Sequence, residues 1–188
     1  MSYEDYLAGD PLIVTAALTG GVHGKEANPN LPETPDEIGR AAAAAETVGA
    51  AVVHLHARQP NGERSFATER FQAIDDAVRT HADDVIIQHS TGGTGAPAAD
   101  RHLPLRTDPA PEMASLDMGP LNRYDHVTSE NTRGMVDALH EEMRERGIKP
   151  ELEVFNDGHL NEVHGLLERR DLADPTYATL IFGGGTLT

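Results

Sequence analysis

The sequence contains no cysteine and no tryptophan, and Lys25 and Lys149 are its only lysines. Because cysteine is absent, the chain can form no disulfide bond and offers no thiolate ligand, so a metal ion would have to be held by His, Asp or Glu side chains. The sequence also lacks any apolar run near the ~20 residues needed to cross a bilayer, and no segment resembles a signal peptide. We therefore expect a soluble, cytoplasmic protein.

Cationic residues are scarce: 31 Asp and Glu residues stand against 15 Lys and Arg residues, which gives a formal net charge of −16. A field of this sign repels nucleic acids and anionic membranes, so we expect neither as a partner. Excess carboxylate with little lysine is typical of halophilic proteins, in which concentrated cations screen the repulsion between acidic side chains. An ordinary acidic protein is the alternative. Regular apolar segments along the chain argue against disorder.

Segments with the pattern of strands alternate along the chain with segments that have the pattern and the capping residues of helices. Thr34-Pro35-Asp36-Glu37, for example, predicts the beginning of a helix. The predicted strands are Leu12–Leu18, Ala51–His56, Val85–Ser90, Glu112–Leu116, Leu152–Phe155 and Ala178–Phe182. The predicted helices are Pro35–Val48, Thr68–Thr80, Asn131–Arg146 and Asp157–Arg169. Between Gly92 and Ala110 we predict a long loop with at most one helical turn.

Strands that alternate with helices indicate parallel βαβ units, which fit either an open doubly wound sheet or a (β/α)₈ barrel. The first strand is not followed by the G-x-G-x-x-G pattern of a dinucleotide-binding sheet. Polar candidates instead follow several strands, as at the active-site end of a TIM barrel. These candidates are Thr19, His54, His56, Ser90, Ser115, Glu153 and Asp157. We therefore predict an α/β protein of the (β/α)₈ TIM-barrel type, with residues 1–188 forming one incomplete domain of about six of the eight βα units.

The most informative segment is the second predicted strand, Val52-Val53-His54-Leu55-His56. Side chains two positions apart in a strand point to the same face, so the two imidazole rings converge. Neutral imidazole is a favoured ligand of Zn²⁺, and a catalytic zinc ion usually takes three protein ligands and keeps one open position. The pattern therefore predicts two ligands of a zinc site, and two histidines packed at the end of a strand are the alternative.

Two further segments are candidates for binding a polar ligand. Ser90-Thr91-Gly92-Gly93 follows the third strand, and the backbone N–H groups of such a turn could grip a carboxylate or a phosphate. Ser115 and Asp117 share one face of the next strand and could hydrogen-bond the same ligand. A structural turn and the capping of a strand end are the alternatives.

Other polar residues are expected to have structural roles. His89 alternates with Ser90, so we expect it to be a hydrogen-bonded core histidine on the helix-facing side of the sheet. Arg58 is expected to pair with a surface acid, because most arginines are exposed. The remaining histidines are expected to be solvated or in loops; they are His23, His81, His102, His126, His140, His159 and His164.

Taken in order, five motifs resemble those of the β-keto acid cleavage enzymes, whose founding member is 3-keto-5-aminohexanoate cleavage enzyme. The resemblance covers residues 11–188, and five motifs in register make it specific. The motifs are Pro11-Leu12-Ile13-Val14-Thr15-Ala16-Ala17-Leu18-Thr19-Gly20, Asn30-Leu31-Pro32-Glu33-Thr34-Pro35-Asp36-Glu37, Val53-His54-Leu55-His56-Ala57-Arg58, Ser90-Thr91-Gly92-Gly93 and Pro111-Glu112-Met113-Ala114-Ser115-Leu116.

The resemblance implies a zinc-dependent (β/α)₈ barrel that converts a β-keto acid and acetyl-CoA into acetoacetate and a new acyl-CoA by a retro-Claisen type of exchange. Zn²⁺ suits this chemistry because it polarises the keto oxygen. The family's zinc ligands match His54 and His56, and its substrate contacts match Ser90, Gly93, Ser115 and Asp117. The resemblance also implies a third ligand, a glutamate, and an aspartate base with its arginine on a seventh unit beyond Thr188, so we expect this stretch alone to be inactive.

Two positions depart from the family pattern. Asp117 replaces an amide, and an acid there would repel a substrate carboxylate unless it is protonated or paired. Val22 replaces a glutamate that contacts the substrate amine in the aminohexanoate enzyme, which argues against an amino-substituted substrate. As partners we expect a β-keto acid and a CoA ester, and we expect a homo-oligomer.

Two other interpretations stay open. An amidohydrolase-like zinc hydrolase also uses an HxH pair, but on its first barrel strand, whereas Leu12–Leu18 and a helix precede His54 here. The other alternative is a truncated chain without activity, or an interaction protein that retains part of the fold.

Overall fold

The computed structural model describes residues 12–183, except residues 94, 124–126, 171 and 173. Six parallel strands form one sheet in the order β1-β2-β5-β6-β9-β10, which confirms the predicted alternation of strands and helices. These strands are β1 (Thr15–Ala17), β2 (Val52–Leu55), β5 (Ile86–His89), β6 (Met113–Asp117), β9 (Lys149–Val154) and β10 (Tyr177–Leu180). The α-helices are α1 (Pro35–Thr47), α2 (Thr68–His81), α3 (Arg133–Arg146) and α4 (Asp157–Arg169). None of the helices in the described ranges is long and apolar enough to cross a membrane.

Two short antiparallel hairpins, which the sequence patterns did not predict, follow the sheet strands β2 and β6. The first joins β3 (Ala57–Arg58) to β4 (Arg64–Ser65), and the second joins β7 (Leu121–Arg123) to β8 (Val127–Ser129). Strands of two or three residues are too short to show an alternating pattern of apolar residues. The first hairpin places β4 beside the carboxyl ends of β2 and β5.

Helix α1 begins where the capping residues predict. The side chain of Thr34 accepts a hydrogen bond from the backbone N–H of Glu37, and the Glu37 carboxylate accepts one from the backbone N–H of Thr34, which is a capping box. Ile38 of α1 is fully buried in the apolar core that the helices α1 and α2 form with strands β2 and β5. The apolar core therefore lies on the helix-covered face of the sheet.

The opposite face of the sheet is polar and concave. Gln88 on β5 donates a hydrogen bond of 2.7 Å to Glu151 on β9, although β6 lies between these two strands. In a flat sheet, strands two positions apart are separated by about 9.6 Å, so a direct contact across the intervening strand is favoured when the sheet curls towards the two side chains. This curl is that of a partial barrel, and it brings the inward-facing side chains together.

The segment 92–110 differs from its prediction, because it contains a 3₁₀ helix, Ala98–Arg106, instead of at most one turn. Pro104 lies inside this helix, and the segment has no helical repeat of apolar residues, so its sequence carries no helix signal. Tertiary contacts hold it instead: a ring nitrogen of His89 lies 2.7 Å from the carbonyl oxygen of Pro104, and Leu105 is fully buried.

Candidate metal centre and ligand cavity

The carboxyl ends of the sheet strands open onto a cavity of about 460 Å³. This is the end of the sheet at which TIM-barrel enzymes have their active sites. The loop after β1 supplies small and apolar wall residues, among them Gly21, Val22 and Leu31. The predicted polar residues that line the cavity are Thr19, His54, His56, Ser90, Asp117 and Glu153.

His54 and His56 converge on one point of this cavity. His54 lies in β2 and His56 follows its last residue, and their Nε2 atoms are 3.3 Å apart. Two nitrogen ligands of one tetrahedral zinc ion, each 2.0–2.1 Å from the metal, stand about 3.4 Å apart. The two imidazoles therefore fit a shared zinc ion.

The environment of His54 favours a neutral ring. Burial lowers the pKa of His54, and the hydrogen bond with Gln88 and the negative charges of Glu151 and Asp117 oppose this shift without cancelling it. A neutral imidazole has a free lone pair, so this ring is in the protonation state that a metal requires.

Two glutamates of β9 lie near His54 and were not predicted as metal ligands. The ligand atoms of His54, Glu151 and Glu153 all lie within 4.8 Å of one another. The Glu151 carboxylate is occupied by hydrogen bonds from Gln88 and Thr179, whereas Glu153 lines the cavity. Glu153 is therefore the acid of this group that is better placed to reach a metal ion or a substrate.

The structure places the other predicted substrate contacts around the turn after β5. Ser90 lines the cavity, and its hydroxyl accepts a hydrogen bond of 3.3 Å from the backbone N–H of Gly92. Ser115 is 1% exposed and lies beneath this turn, where its hydroxyl accepts the N–H of Thr91 at 3.2 Å. Gly92 rather than Gly93 lines the cavity. Gly93 lies against Arg101, whose Cδ is 2.2 Å from the position that a Cβ on Gly93 would occupy.

Asp117 is a buried acid at the inner end of the cavity. It is 2% exposed, and the amide of Asn131 donates a hydrogen bond of 3.2 Å to its carboxylate. The oxygen of the same Asn131 amide has no hydrogen-bond partner in the described part of the chain. The structure thus provides Asp117 with a neutral donor.

Two further polar residues of the cavity wall are Thr19, which was among the predicted candidates, and Arg64, which was not. Thr19 is 3% exposed, and its hydroxyl has no hydrogen-bond partner among the described residues. Arg64 of β4 lines the cavity beside His56, donates a hydrogen bond to the carbonyl oxygen of Gly92 and has its guanidinium carbon 4.3 Å from the centre of the Phe66 ring. The hairpin that carries Arg64 was not predicted, so the sequence alone did not place this cation.

Arg58 has an acidic neighbour, since its Nε lies 3.9 Å from Oε1 of Glu33, but the predicted surface location is wrong because both side chains are largely buried. Arg58 is 5% exposed, and its guanidinium donates hydrogen bonds to the carbonyl oxygens of Gly20, His23 and Gly62. The hairpin β3–β4 folds over the side chain and the loop after β1 closes around it, so Arg58 joins the two segments that form the cavity rim.

The histidine predictions had mixed outcomes. His89 is fully buried, with its ring nitrogens 2.7 Å from Asp75 and from the carbonyl oxygen of Pro104, which confirms the predicted core histidine. His140 and His159 are 2% and 3% exposed, so the prediction that they are solvated or in loops is wrong. Both lie in helices whose inner faces turn towards the sheet. His126 lies outside the described residues.

Comparisons with known proteins identify relatives of the chain. The 3-keto-5-aminohexanoate cleavage enzymes of Acetoanaerobium sticklandii and Fusobacterium nucleatum subsp. nucleatum are each 37% identical to the chain over 175 residues, which are 93% of this chain and 63% and 64% of theirs. The 3-oxoadipate:acetyl-CoA acetyltransferase of Cupriavidus necator is 38% identical over 148 residues, which are 78% of this chain and 50% of that protein. The chain thus spans less than two thirds of the length of these curated relatives.

Solved structures show the same fold. ObcA in a ternary complex with a C4-CoA adduct and oxalate superposes with a TM-score of 0.75 at 26% sequence identity, over 83% of this chain and 38% of that chain. The fold prediction of a partial (β/α)₈ barrel is therefore confirmed. The family model described as beta-keto acid cleavage enzyme matches residues 11–187. This match covers nearly the whole sequence, and we conclude that the chain belongs to the β-keto acid cleavage enzyme family.

Proposed function

We propose that the whole protein is a zinc-dependent β-keto acid cleavage enzyme with acetyl-CoA as co-substrate. The observation that carries the proposal is the convergence of the Nε2 atoms of His54 and His56, 3.3 Å apart, on the cavity of a chain that belongs to this family. The position of the pair on the second sheet strand also disfavours the amidohydrolase interpretation, in which the HxH pair lies on the first strand.

In the proposed reaction two bonds break, C2–C3 of the β-keto acid and the thioester C–S bond of acetyl-CoA, and C2 forms a new bond with the carbonyl carbon of the acetyl group. The acyl group of the keto acid passes to the CoA sulfur, so the products are acetoacetate and a new acyl-CoA, and no oxidant or reductant is needed. His54 and His56 would hold the zinc ion. When bound, zinc would polarise the keto oxygen and stabilise the negative charge that develops on it.

The substrate carboxylate would lie beside the turn after β5. Ser90, which lines the cavity beside Gly92, would donate its hydroxyl proton to the carboxylate, and Ser115 supports the turn from beneath. The buried carboxylate of Asp117 lies near this place and would repel an anion. Arg64, on the other side of the turn, supplies the opposing positive charge. The hydroxyl of Thr19, which has no partner among the described residues, would then hydrogen-bond the bound substrate.

The preferred substrate is a β-keto acid without an amino group. Val22 is 45% exposed and lines the cavity, where an acid would be needed to pair with a substrate ammonium group. We also propose that the protein works in a cytoplasm of high salt concentration, in which cations screen its charge of −16.

The proposal is tested with a CoA-ester exchange assay on the whole protein, in which a β-keto acid and acetyl-CoA are supplied and acetoacetate is measured. We expect turnover that needs both substrates, that His54→Ala abolishes and that replacement of the exposed His164 by alanine leaves intact. Hydrolysis of the keto acid without acetyl-CoA would instead indicate a zinc hydrolase, and equal activity of His54→Ala would refute the assigned centre.

A further inference from the structure

A buried hydrogen-bond relay connects Thr179, Glu151, Gln88 and His54, which lie on four strands of the sheet, and passes over β6 between Glu151 and Gln88. Gln88 is 1% exposed and Glu151 is 5% exposed. The amide nitrogen of Gln88 donates to one oxygen of the Glu151 carboxylate at 2.7 Å, and Thr179 donates its hydroxyl proton to the other oxygen. The amide oxygen of Gln88 lies 2.8 Å from Nδ1 of His54. The relay ends at the ring whose Nε2 faces His56.

The direction of every hydrogen bond in this relay is determined by the carboxylate. An ionised carboxylate can only accept, so the Gln88 group that faces Glu151 must be the NH₂ group. The Gln88 group that faces His54 is then the carbonyl oxygen, which can only accept as well. Nδ1 of His54 must therefore carry the proton, and the lone pair of the neutral ring is on Nε2.

This arrangement selects the tautomer that has its lone pair in the cavity. In water the neutral imidazole of histidine favours the proton on Nε2, which would direct an N–H group at His56 and at any cation between the two rings. Gln88 contacts His54 from the neighbouring strand, in register with it, so the orientation of its amide is transmitted directly to the ring. Glu151 does not contact the ring and acts indirectly, because it fixes the orientation of the Gln88 amide.

We propose that Gln88 and Glu151 are positioning residues that fix His54 as the Nδ1-protonated tautomer and so make Nε2 its metal-binding atom. The functional part of this inference rests on the proposed zinc role of His54. The tautomer itself is a property of the metal-free protein, so it is measured without zinc or activity. Partners of this kind, which hold the second nitrogen of a ligating histidine, typically change metal affinity tenfold to hundredfold when they are removed, by order of magnitude.

The decisive variant exchanges the two partners. In Gln88→Glu/Glu151→Gln, a carboxylate at position 88 accepts from His54 Nδ1–H and from the amide NH₂ at position 151, and Thr179 still donates to the amide oxygen there. The hydrogen bonds from His54 and from Thr179 keep their directions, the one between positions 88 and 151 reverses, and every group keeps a partner although the charge moves by two strands. Glu151→Gln alone allows the Gln88 amide to flip, and Gln88→Met removes the acceptor at nearly constant size.

The experiment records the ¹⁵N NMR spectrum of the metal-free protein, with the His54 signals assigned, and measures zinc affinity by competition with a chelator. We expect the proton on Nδ1 in the wild type, a shift of population towards Nε2–H in Glu151→Gln and Gln88→Met, and recovery of Nδ1–H in the exchange variant. Zinc binding should weaken roughly tenfold to hundredfold in the single variants and recover in the exchange variant. Gln72→Met on α2, which also removes a hydrogen-bonding amide, is the control and should change neither.

Two results would overturn the inference. One is a wild-type His54 that carries its proton on Nε2. The other is an exchange variant that binds zinc no better than the single variants, because this would assign Glu151 as a direct metal ligand. If Gln88→Met does not fold, the wild-type tautomer and the exchange variant still decide. A wild type with the proton on Nδ1 that binds no zinc would refute the proposed zinc role and leave the positioning role in place.

Discussion

Nε2 of His54 lies 3.3 Å from Nε2 of His56 at the wall of the cavity at the carboxyl ends of the sheet strands, and Nδ1 of His54 lies 2.8 Å from the Gln88 amide oxygen. The first distance fits two ligands of one tetrahedral metal ion. The second ties one of these rings to the sheet, because Gln88 is itself held by Glu151. A ring held from behind in this way presents its second nitrogen in one orientation.

Zinc content tests the histidine pair. We expect about one zinc ion per chain in the whole protein, and its loss in His54→Ala, because a site that loses one of its few ligands no longer holds the metal. Elemental analysis after dialysis measures this, with His164→Ala as the matched control, since His164 is exposed on α4. Zinc content that is the same in His54→Ala and in the control would rule out the assignment.

Thr19→Val should have opposite effects on stability and on substrate binding. The buried hydroxyl of Thr19 has no partner in the described chain, so its removal should raise the free energy of unfolding by roughly 1 kcal/mol. If a bound substrate satisfies this hydroxyl, the same change should weaken substrate binding about threefold to tenfold.

Thr107 is the control for this prediction. It is also 3% exposed with an unpartnered hydroxyl among the described residues, but it does not line the cavity. Thr107→Val should therefore stabilise the protein without an effect on substrate binding. Equal substrate affinity in the two variants, measured by titration calorimetry, would show that Thr19 does not contact the ligand.

Val22→Glu tests the substrate preference. We expect the wild type to prefer β-keto acids with a neutral chain over 3-keto-5-aminohexanoate, and we expect the variant to shift the ratio of the two kcat/KM values towards the amino substrate. One charge-assisted contact contributes about 1.5–3 kcal/mol, so the shift should be roughly tenfold to hundredfold. Val48→Glu, at an exposed position after α1, is the control for added charge. A wild type that prefers the amino substrate would contradict the prediction.

Salt should stabilise the protein. The acidic side chains that give the net charge of −16 repel one another. Salt screens this repulsion, because the Debye length falls from about 10 Å at 0.1 M to about 3 Å at 1 M salt. The melting temperature should therefore rise steeply with KCl, by about 2–4 °C for each kcal/mol recovered in a domain of this size. Glycerol at matched osmolality is the control, and a melting temperature that does not respond to KCl would refute the halophilic interpretation.

Features that depend on neighbouring residues in the sequence could be predicted. The period of two in a strand places His54 and His56 on one side, and the alternation of His89 with Ser90 places His89 in the core. The capping residues around Thr34 fix the beginning of α1 in the same way. These predictions need only local geometry.

Features that depend on which strands curl towards each other could not be predicted. The contact between Gln88 and Glu151 requires the strand order and the curvature of the sheet, and neither can be read from local patterns. Arg58 and Arg64 acquire their places from a hairpin whose strands have two residues each. The 3₁₀ helix depends on the buried contact between His89 and Pro104.

The most direct test of the proposed acyl exchange follows the acetyl carbon atoms of acetyl-CoA into the products. The whole protein is incubated with an unlabelled β-keto acid and acetyl-CoA that carries ¹³C in its acetyl group, and the products are identified by mass spectrometry. We expect labelled acetoacetate and an equal amount of unlabelled new acyl-CoA, both absent with His54→Ala. Labelled acetate and free CoA without acetoacetate would contradict it, because the protein would then hydrolyse the thioester instead of exchanging acyl groups.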